Sequence, residues 1–379
     1  MWVSVMKKKV ILVFGTRPEA IKMCPLVNEL KKRPSIETVV VVTGQHREML
    51  EQVLNVFDVV PDYDLSIMKK GQDLFDITIN ILENIKDVLI LEQPDIVAVH
   101  GDTSTTFVTA LACFYLRIPV AHVEAGLRTN NIYSPYPEEF NRQAVGIVSE
   151  YNFAPTKKAA DNLIKEGKDP KKIYITGNTV IDAMKHTVRD DYTHPELDWV
   201  GNDKLIFITA HRRENLGQPM RNMFRAIRRV LDRHDDCKAI YPVHMNPEVR
   251  RIAKEELGDC KKIHIIEPIS VVDCHNFEAR CFLCLTDSGG IQEEVPSYGR
   301  PVLVMRDTTE RPEGVAAGTL RLVGTDEETI YNNFSELLEN KEAYNKMAHA
   351  CNPYGDGKSS KRIADILEGK PTVLWDEGH

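Results

Sequence analysis

Short apolar runs that break off into turn or polar residues before helix-spaced segments recur along this chain. They fall at 9–14, 38–43, 95–100 and 120–124 in the first half, and at 204–209, 239–243, 263–266, 281–286 and 301–305 in the second. The runs are continuous rather than alternating, the pattern of strands buried on both faces in a parallel sheet covered by helices. Longer amphipathic segments at 72–91, 327–339 and 342–350 read as helices. This alternation predicts an α/β protein built on doubly wound parallel sheets.

The pattern lapses into polar and turn residues at 190–201 and restarts at 204. A chain of 379 residues exceeds one compact core. The expected division is a Rossmann-like domain over 1–190, a second over 191–358, and a helix within 359–379 that docks back on the first. Two such halves are expected to place their strand-end loops on either side of a cleft.

Composition narrows the function. The chain is 42% apolar and 27% charged, with a net charge of −8 and charges of both signs interspersed, which disfavours a nucleic-acid or membrane-surface binder. Lysines 7 to 9 follow a short apolar stretch, the reverse of a secretory signal, and no later run reaches membrane-spanning length. A soluble cytoplasmic protein is expected. The eight cysteines lie mostly inside apolar patterns and read as reduced core thiols. Cys274, His275, Cys281 and Cys284 are close enough to suggest zinc, but Cys281 and Cys284, three apart in a predicted strand, should point to opposite faces. No metal is expected.

Strand ends are where open α/β sheets bind ligands, and here they carry Arg17 and Lys22, Asp102, Glu124, His211, His244 and the stretch 287–294, Asp-Ser-Gly-Gly-Ile-Gln-Glu-Glu. A strand passing through Ser288-Gly289-Gly290 into a helix would leave backbone N–H groups open to an anion, and a carboxylate one turn later could take the two hydroxyls of a ribose. A nucleotide is the reading. An ordinary turn with a serine N-cap is the alternative. No G-x-G-x-x-G follows a predicted strand, and neither H-E-x-x-H nor G-x-S-x-G occurs; Gly357-Lys-Ser359 resembles the end of a P-loop, but Asn352 stands where its first glycine should. A nicotinamide cofactor, an ATPase site and common hydrolase sites are disfavoured.

Ten strand-end motifs in order, FGTRPEAIKM, VTGQHREML, VHGDTSTT, HVEAGLRT, YSPYPEEFNR, TAHRRENLG, YPVHMNP, LTDSGGIQEE, RDTTERPEG and NPYGDG, cover nearly the whole chain. Together they resemble the non-hydrolysing UDP-N-acetylglucosamine 2-epimerases. The resemblance implies a two-domain fold of the GT-B glycosyltransferase type, a homodimer, no NAD or metal, and interconversion of UDP-GlcNAc and UDP-ManNAc for cell-envelope polysaccharides. It implies catalytic roles for Asp102, Glu124, Glu138 and His211. Arg17, Lys22, Arg142, Ser288, Gly289, Gly290, Glu294 and Arg311 are implied to bind UDP and sugar, and Gln45, His46, Arg212 and His244 to line an activator site for a second UDP-GlcNAc. Glu48 and Gly71 depart from the strongly activated members, where a glutamine and an arginine can stand.

The chemistry is consistent with these residue types. The hydrogen on C2 of a 2-acetamido sugar has no adjacent carbonyl, so the family's route eliminates UDP to 2-acetamidoglucal and adds it back. That needs cations for the diphosphate, carboxylates near C2 and a closed cleft. Other roles stay open: Asp102 as a helix N-cap, Glu124 as an acceptor in a tight turn, Arg142 as an i,i+4 partner of Glu138, and His100 and His122 as core histidines. A UDP-GlcNAc-dependent glycosyltransferase, a hydrolysing epimerase releasing ManNAc and a non-catalytic nucleotide-sugar sensor are the competing functions.

Overall fold

The computed structural model describes residues 7–44, 47–69 and 71–376. They fall into two compact units, one of 1–186 with 354–379 and one of 187–353.

The first unit is built on seven parallel strands: β1 (Lys8–Phe14), β2 (Ile36–Val42), β3 (Tyr63–Asp64), β4 (Ile96–His100), β5 (Val120–Val123), β6 (Ser149–Ala154) and β7 (Ile173–Ile175), in the order β3-β2-β1-β4-β5-β6-β7. Every residue from Val10 to Phe14 is fully buried, as a continuous apolar run requires of a central strand. The order reverses between β1 and β4, so the helices that follow them, Arg17–Lys31 and Ser104–Leu116, leave on opposite sides. Three strands escaped the sequence reading. β3 has two residues and β7 three, while half of β6 is only partly buried, so none shows a long apolar run.

The helix Ser359–Leu367 also belongs to this unit. It packs on Arg17–Lys31 through Ile363, Ala364 and Leu367, all fully buried; a buried Ile or Leu stabilises by roughly 1.5–3 kcal/mol. Asp182 caps it, accepting from the N–H groups of Ser359 at 3.1 Å and Ser360 at 2.8 Å, and Arg33 holds its far end through Asp365 and Glu368, each at 2.8 Å.

The second unit has six parallel strands: β8 (Lys204–Thr209), β9 (Cys237–Pro242), β10 (Ile263–Ile266), β11 (Leu283–Thr286), β12 (Val302–Val304) and β13 (Leu320–Leu322), in the order β10-β9-β8-β11-β12-β13. Here the reversal lies between β8 and β11. The helix Gln218–Arg233 covers one face, burying Met220, Met223, Phe224, Ile227, Val230 and Leu231 at three-and-four spacing. The stretch expected to be featureless contains the helix Pro195–Val200, whose Val200 enters the core on the other face of the sheet with Leu205 and Phe207. β11 is shorter than its apolar run because Cys281 ends the preceding helix, Val271–Arg280. The helix opened by the Ser-Gly-Gly turn is also short, Ile291–Glu294, and becomes a 3₁₀ turn, Val295–Tyr298. Pro296 offers no backbone N–H to continue it.

Candidate active site and nucleotide seat

The turn after β1 admits only glycine. A Cβ on Gly15 would lie 2.0 Å from Thr43 Oγ1 and 2.7 Å from Thr105 Oγ1, two hydroxyls that meet each other at 2.9 Å. Glu19 then binds this turn to the neighbouring one. Its buried carboxylate accepts from the N–H groups of Gly15 at 3.0 Å and Thr16 at 2.8 Å, and from Thr103 Oγ1, in the turn after β4, at 2.7 Å. The turns carrying Arg17 and Asp102 are thereby held to each other.

Around them the structure gathers charged side chains. Lys22 pairs its ammonium with the carboxylate of Glu124, and the two side chains are 11% and 9% exposed. Glu124 follows β5 with φ of 63°, a left-handed conformation that costs a non-glycine residue about 1–3 kcal/mol and clusters at functional sites. Asn178 Nδ2 donates to the same carboxylate at 3.3 Å, and His100 Nε2 lies 3.1 Å from it. His100 is therefore not a satisfied core histidine. His122 is buried at that position in β5 and holds Gly101 O through Nε2 at 2.7 Å.

Asp102 is not a helix cap. Thr103 takes that position, its Oγ1 accepting from Thr106 N at 3.2 Å. The Asp102 carboxylate instead meets Arg142 Nη2 at 2.5 Å, while Asn141 Nδ2 holds its backbone carbonyl at 2.9 Å. Burial raises the Asp102 pKa; Arg142 pulls it back down, and the nearby Glu124 and Glu138 push it up again. The three carboxyls thus share one electrostatic neighbourhood. Arg142 is the partner of Asp102 and, at 3.3 Å, of Glu139, not of Glu138. Glu138 begins the helix Glu138–Val148, and buried Glu139 anchors the loop before it by accepting from Thr129 N at 3.0 Å.

In the second unit, Asp287 joins the ends of β8 and β11. Fully buried, it accepts from His211 N at 2.9 Å, Arg212 N at 2.8 Å and Asn215 Nδ2 at 3.1 Å. The His211 ring stacks on His244 with centroids 5.3 Å apart. Desolvation lowers the His211 pKa, against the raising effect of Asp287, which favours the neutral imidazole. Arg212 Nε donates to Asp287 O at 3.2 Å. The Ser288 N–H is taken by Thr286 Oγ1 at 2.9 Å, and Gly290 rather than Ser288 is the cap residue, without a side-chain cap, so an anion here would rest on the glycines. A Cβ on Gly290 would crowd Glu294 Oε1 at 3.2 Å, and one on Gly289 would sit in ordinary contact with Arg212 Nη2 at 3.5 Å. Arg311 pairs with Glu293, which is 1% exposed.

Of the residues singled out from the sequence, Lys22, Asp102, Glu124, Glu138 and Arg142 come together in the first unit, and Arg17 is half-buried one turn from Lys22. His211, Arg212, His244, Ser288, Gly289, Gly290 and Glu294 line the neighbouring β8, β9 and β11 ends of the second. Gln45, His46 and the Glu48 side chain lie outside the described residues. Gly71 has φ of 81°. His100 was recognisable as the last residue of a strand; Asn178 was not, since it follows β7. Among the described residues one group could hold a metal, His275, Glu278 and Glu294, with one ligand atom of each within 4.8 Å of the others. That is one ligand short of a structural zinc site, and burial together with the neighbouring Glu294 carboxyl favours the protonated, non-ligating form of Glu278.

The family model described as UDP-N-acetylglucosamine 2-epimerase matches residues 28–368. The chain is 59% identical over 361 residues to UDP-N-acetylglucosamine 2-epimerase of Bacillus subtilis, covering 95% of each. Its structure is similar to that of UDP-GlcNAc 2-epimerase from Neisseria meningitidis bound to UDP-GlcNAc, with a TM-score of 0.88 and 46% identity over 96% of this chain and all of that one. It is similar in fold alone to the glycotransferase of kitacinnamycin, at 11% identity and a TM-score of 0.65 over 96% of this chain and 99% of that one.

Proposed function

The chain belongs to the UDP-N-acetylglucosamine 2-epimerase family, and on that premise we propose that it interconverts UDP-GlcNAc and UDP-ManNAc without releasing free sugar. The observation that carries the reading is the grouping of Asp102, Glu124 and Glu138 around Lys22 and Arg142 at the strand ends of the first sheet. A glycosyl transfer would have no use for three carboxyls so placed. Inversion at C2 does.

In the proposed reaction the C1–O bond to UDP breaks, its electron pair leaving with the diphosphate, while a carboxylate removes the C2 proton and the C1=C2 double bond of 2-acetamidoglucal forms. UDP then adds back to C1 as a proton reaches C2 on the opposite face. Two different carboxyls are needed, because the proton leaves one face and returns at the other. Asp102, drawn toward its protonated form by burial, suits the return. Glu124, with Lys22 beside it, suits the removal. The nucleotide end is assigned to Ser288, Gly289, Gly290 and Glu294, with neutral His211 beside them.

An NMR time course of UDP-GlcNAc in deuterium oxide, with no acceptor present, tests this. UDP-ManNAc should appear, with deuterium at C2 of both epimers entering at a rate comparable to epimerisation. Product lacking C2 label sinks the proton transfer, free ManNAc with UDP indicates a hydrolysing enzyme, and no product at all indicates a binding protein or a transferase.

A second copy of the chain is the proposed partner. The helices Leu74–Glu92, Ser104–Leu116 and Glu138–Val148 pack side by side and expose Phe75, Leu91, Phe114, Tyr115, Phe140 and Ile147, large apolar side chains that a second copy could cover.

A further inference from the structure

We propose that Glu278 is a positioning residue for the nucleotide end: its carboxylic acid donates a hydrogen bond to Glu294 and holds that carboxylate in place for the ribose hydroxyls. The inference rests on the reading of Glu294 as the ribose-binding carboxylate.

Glu278 lies on the inner face of the helix Val271–Arg280 and is fully buried; that helix packs against the 3₁₀ turn Val295–Tyr298, which follows Glu294 directly. Its Oε1 accepts from Cys274 Sγ at 3.1 Å. Its Oε2 is buried and meets no donor. An acceptor left that way is costly, and the carboxyl next to it, that of Glu294, with an oxygen within 4.8 Å, is another acceptor. Two carboxyls can share a hydrogen bond only if one of them brings the proton, and the more deeply buried member keeps it more readily. Glu294 is partly exposed and Glu278 is not. Burial first, and the charge of Glu294 second, hold Glu278 well above the ordinary carboxyl range.

The orientation that follows suits a ribose. Glu294 Oε1 sits over Gly290, near enough that a Cβ there would meet it at 3.2 Å. A carboxylate has about four lone-pair sites, so one hydrogen bond from Glu278 leaves room for two hydroxyls. The other titratable groups facing Glu278 are Cys274 and His275 on its own helix, Cys281 just past it, Cys284 on β11 and Tyr298 in the 3₁₀ turn. Burial raises the thiols of Cys281 and Cys284 and the phenol of Tyr298, which keeps these three neutral at neutral pH.

The test is calorimetric titration with UDP, near neutrality and in alkaline buffer, on the intact chain and on folded Glu278→Gln, Glu278→Met and Glu294→Ala variants. Gln keeps a donor and Met keeps only the volume. Glu278→Gln should bind UDP within about threefold of the parent, and Glu278→Met about tenfold more weakly, the scale of a hydrogen bond to a charged group. In alkali the parent should lose affinity as Glu278 ionises against Glu294, and Glu278→Gln should lose less; ionisation of the uracil is common to both and cancels. Parent-like binding by Glu278→Met, an identical alkaline fall in parent and Glu278→Gln, or an affinity that follows added Zn²⁺ would each overturn the proposal. Should Glu278→Met fail to fold, the alkaline comparison with Glu278→Gln still decides. Undiminished UDP binding by Glu294→Ala overturns the nucleotide placement itself, a different result from a normal Glu278→Met beside a weakened Glu294→Ala.

Discussion

Lys22 and Glu124, 102 residues apart in sequence, form an ion pair across three neighbouring strand ends of the first sheet, with β4 lying between the strands that precede them. Both side chains are about nine-tenths buried, so neither charge can turn to water when the other is removed. Lys22→Met should therefore destabilise the fold by about 3–5 kcal/mol, the usual result of leaving one member of a buried pair. Glu124→Gln should lower turnover by roughly 100-fold or more while leaving UDP binding largely intact. Urea unfolding of both single variants and the double variant checks the first point: the double variant should recover much of what Lys22→Met loses. Additive losses would mean that the pair is not coupled.

His122 sets an acid limit on stability. Burial pushes its pKa down to about 3, against about 6.5 in an unfolded chain. A group depressed by folding contributes stability that is present above its unfolded pKa and lost as pH falls toward the folded one. Stability should thus decline between about pH 6.5 and pH 3 by as much as about 1.4 kcal/mol per pH unit from this residue. His122→Asn, which has no proton to take up, should show a shallower decline in urea midpoints measured across that range.

A working activator site would show in the reverse direction. Arg212 Nη2 approaches Gly289, and His244 stacks on His211, so a second nucleotide sugar held by Arg212 and His244 would touch the seat of the first. Progress curves from carefully purified UDP-ManNAc should begin with a lag that a trace of UDP-GlcNAc removes. Full initial velocity, indifferent to added UDP-GlcNAc, would falsify the activator reading.

The proposed self-association has a direct measurement. Ile147 is 74% exposed and Phe114 58% on adjacent helices. Introducing Glu at either position should convert a dimer to a monomer in sedimentation velocity. A parent chain that already sediments as a monomer at micromolar concentration would show that the face has another use.

The central strands were legible in the sequence because burial on both faces leaves no polar alternation to confuse the reading; β1, β4, β8 and β11 lie within a residue or two of their apolar runs. The carboxylates and cations at their ends were legible too, since ligand-facing residues in such sheets gather there. β3, β6, β7 and β13 were not, being short or partly buried, and Asn178 was lost with β7. The sequence could name Lys22, Glu124, Asp102, Arg142 and Glu294, but not who meets whom, and Glu278, on a helix face away from any strand end, gave no signal at all. Spacing suggested that Arg142 held Glu138, four residues away, yet it reaches Asp102, 40 residues back. That partner is chosen by the order in which β4, β5 and β6 stand in the sheet, and the proton between Glu278 and Glu294 by the deeper burial of Glu278. Local periodicity determines whether a segment becomes a strand and which residue stands at its end; which strand lies beside it, and how far water is excluded there, are set by long-range packing.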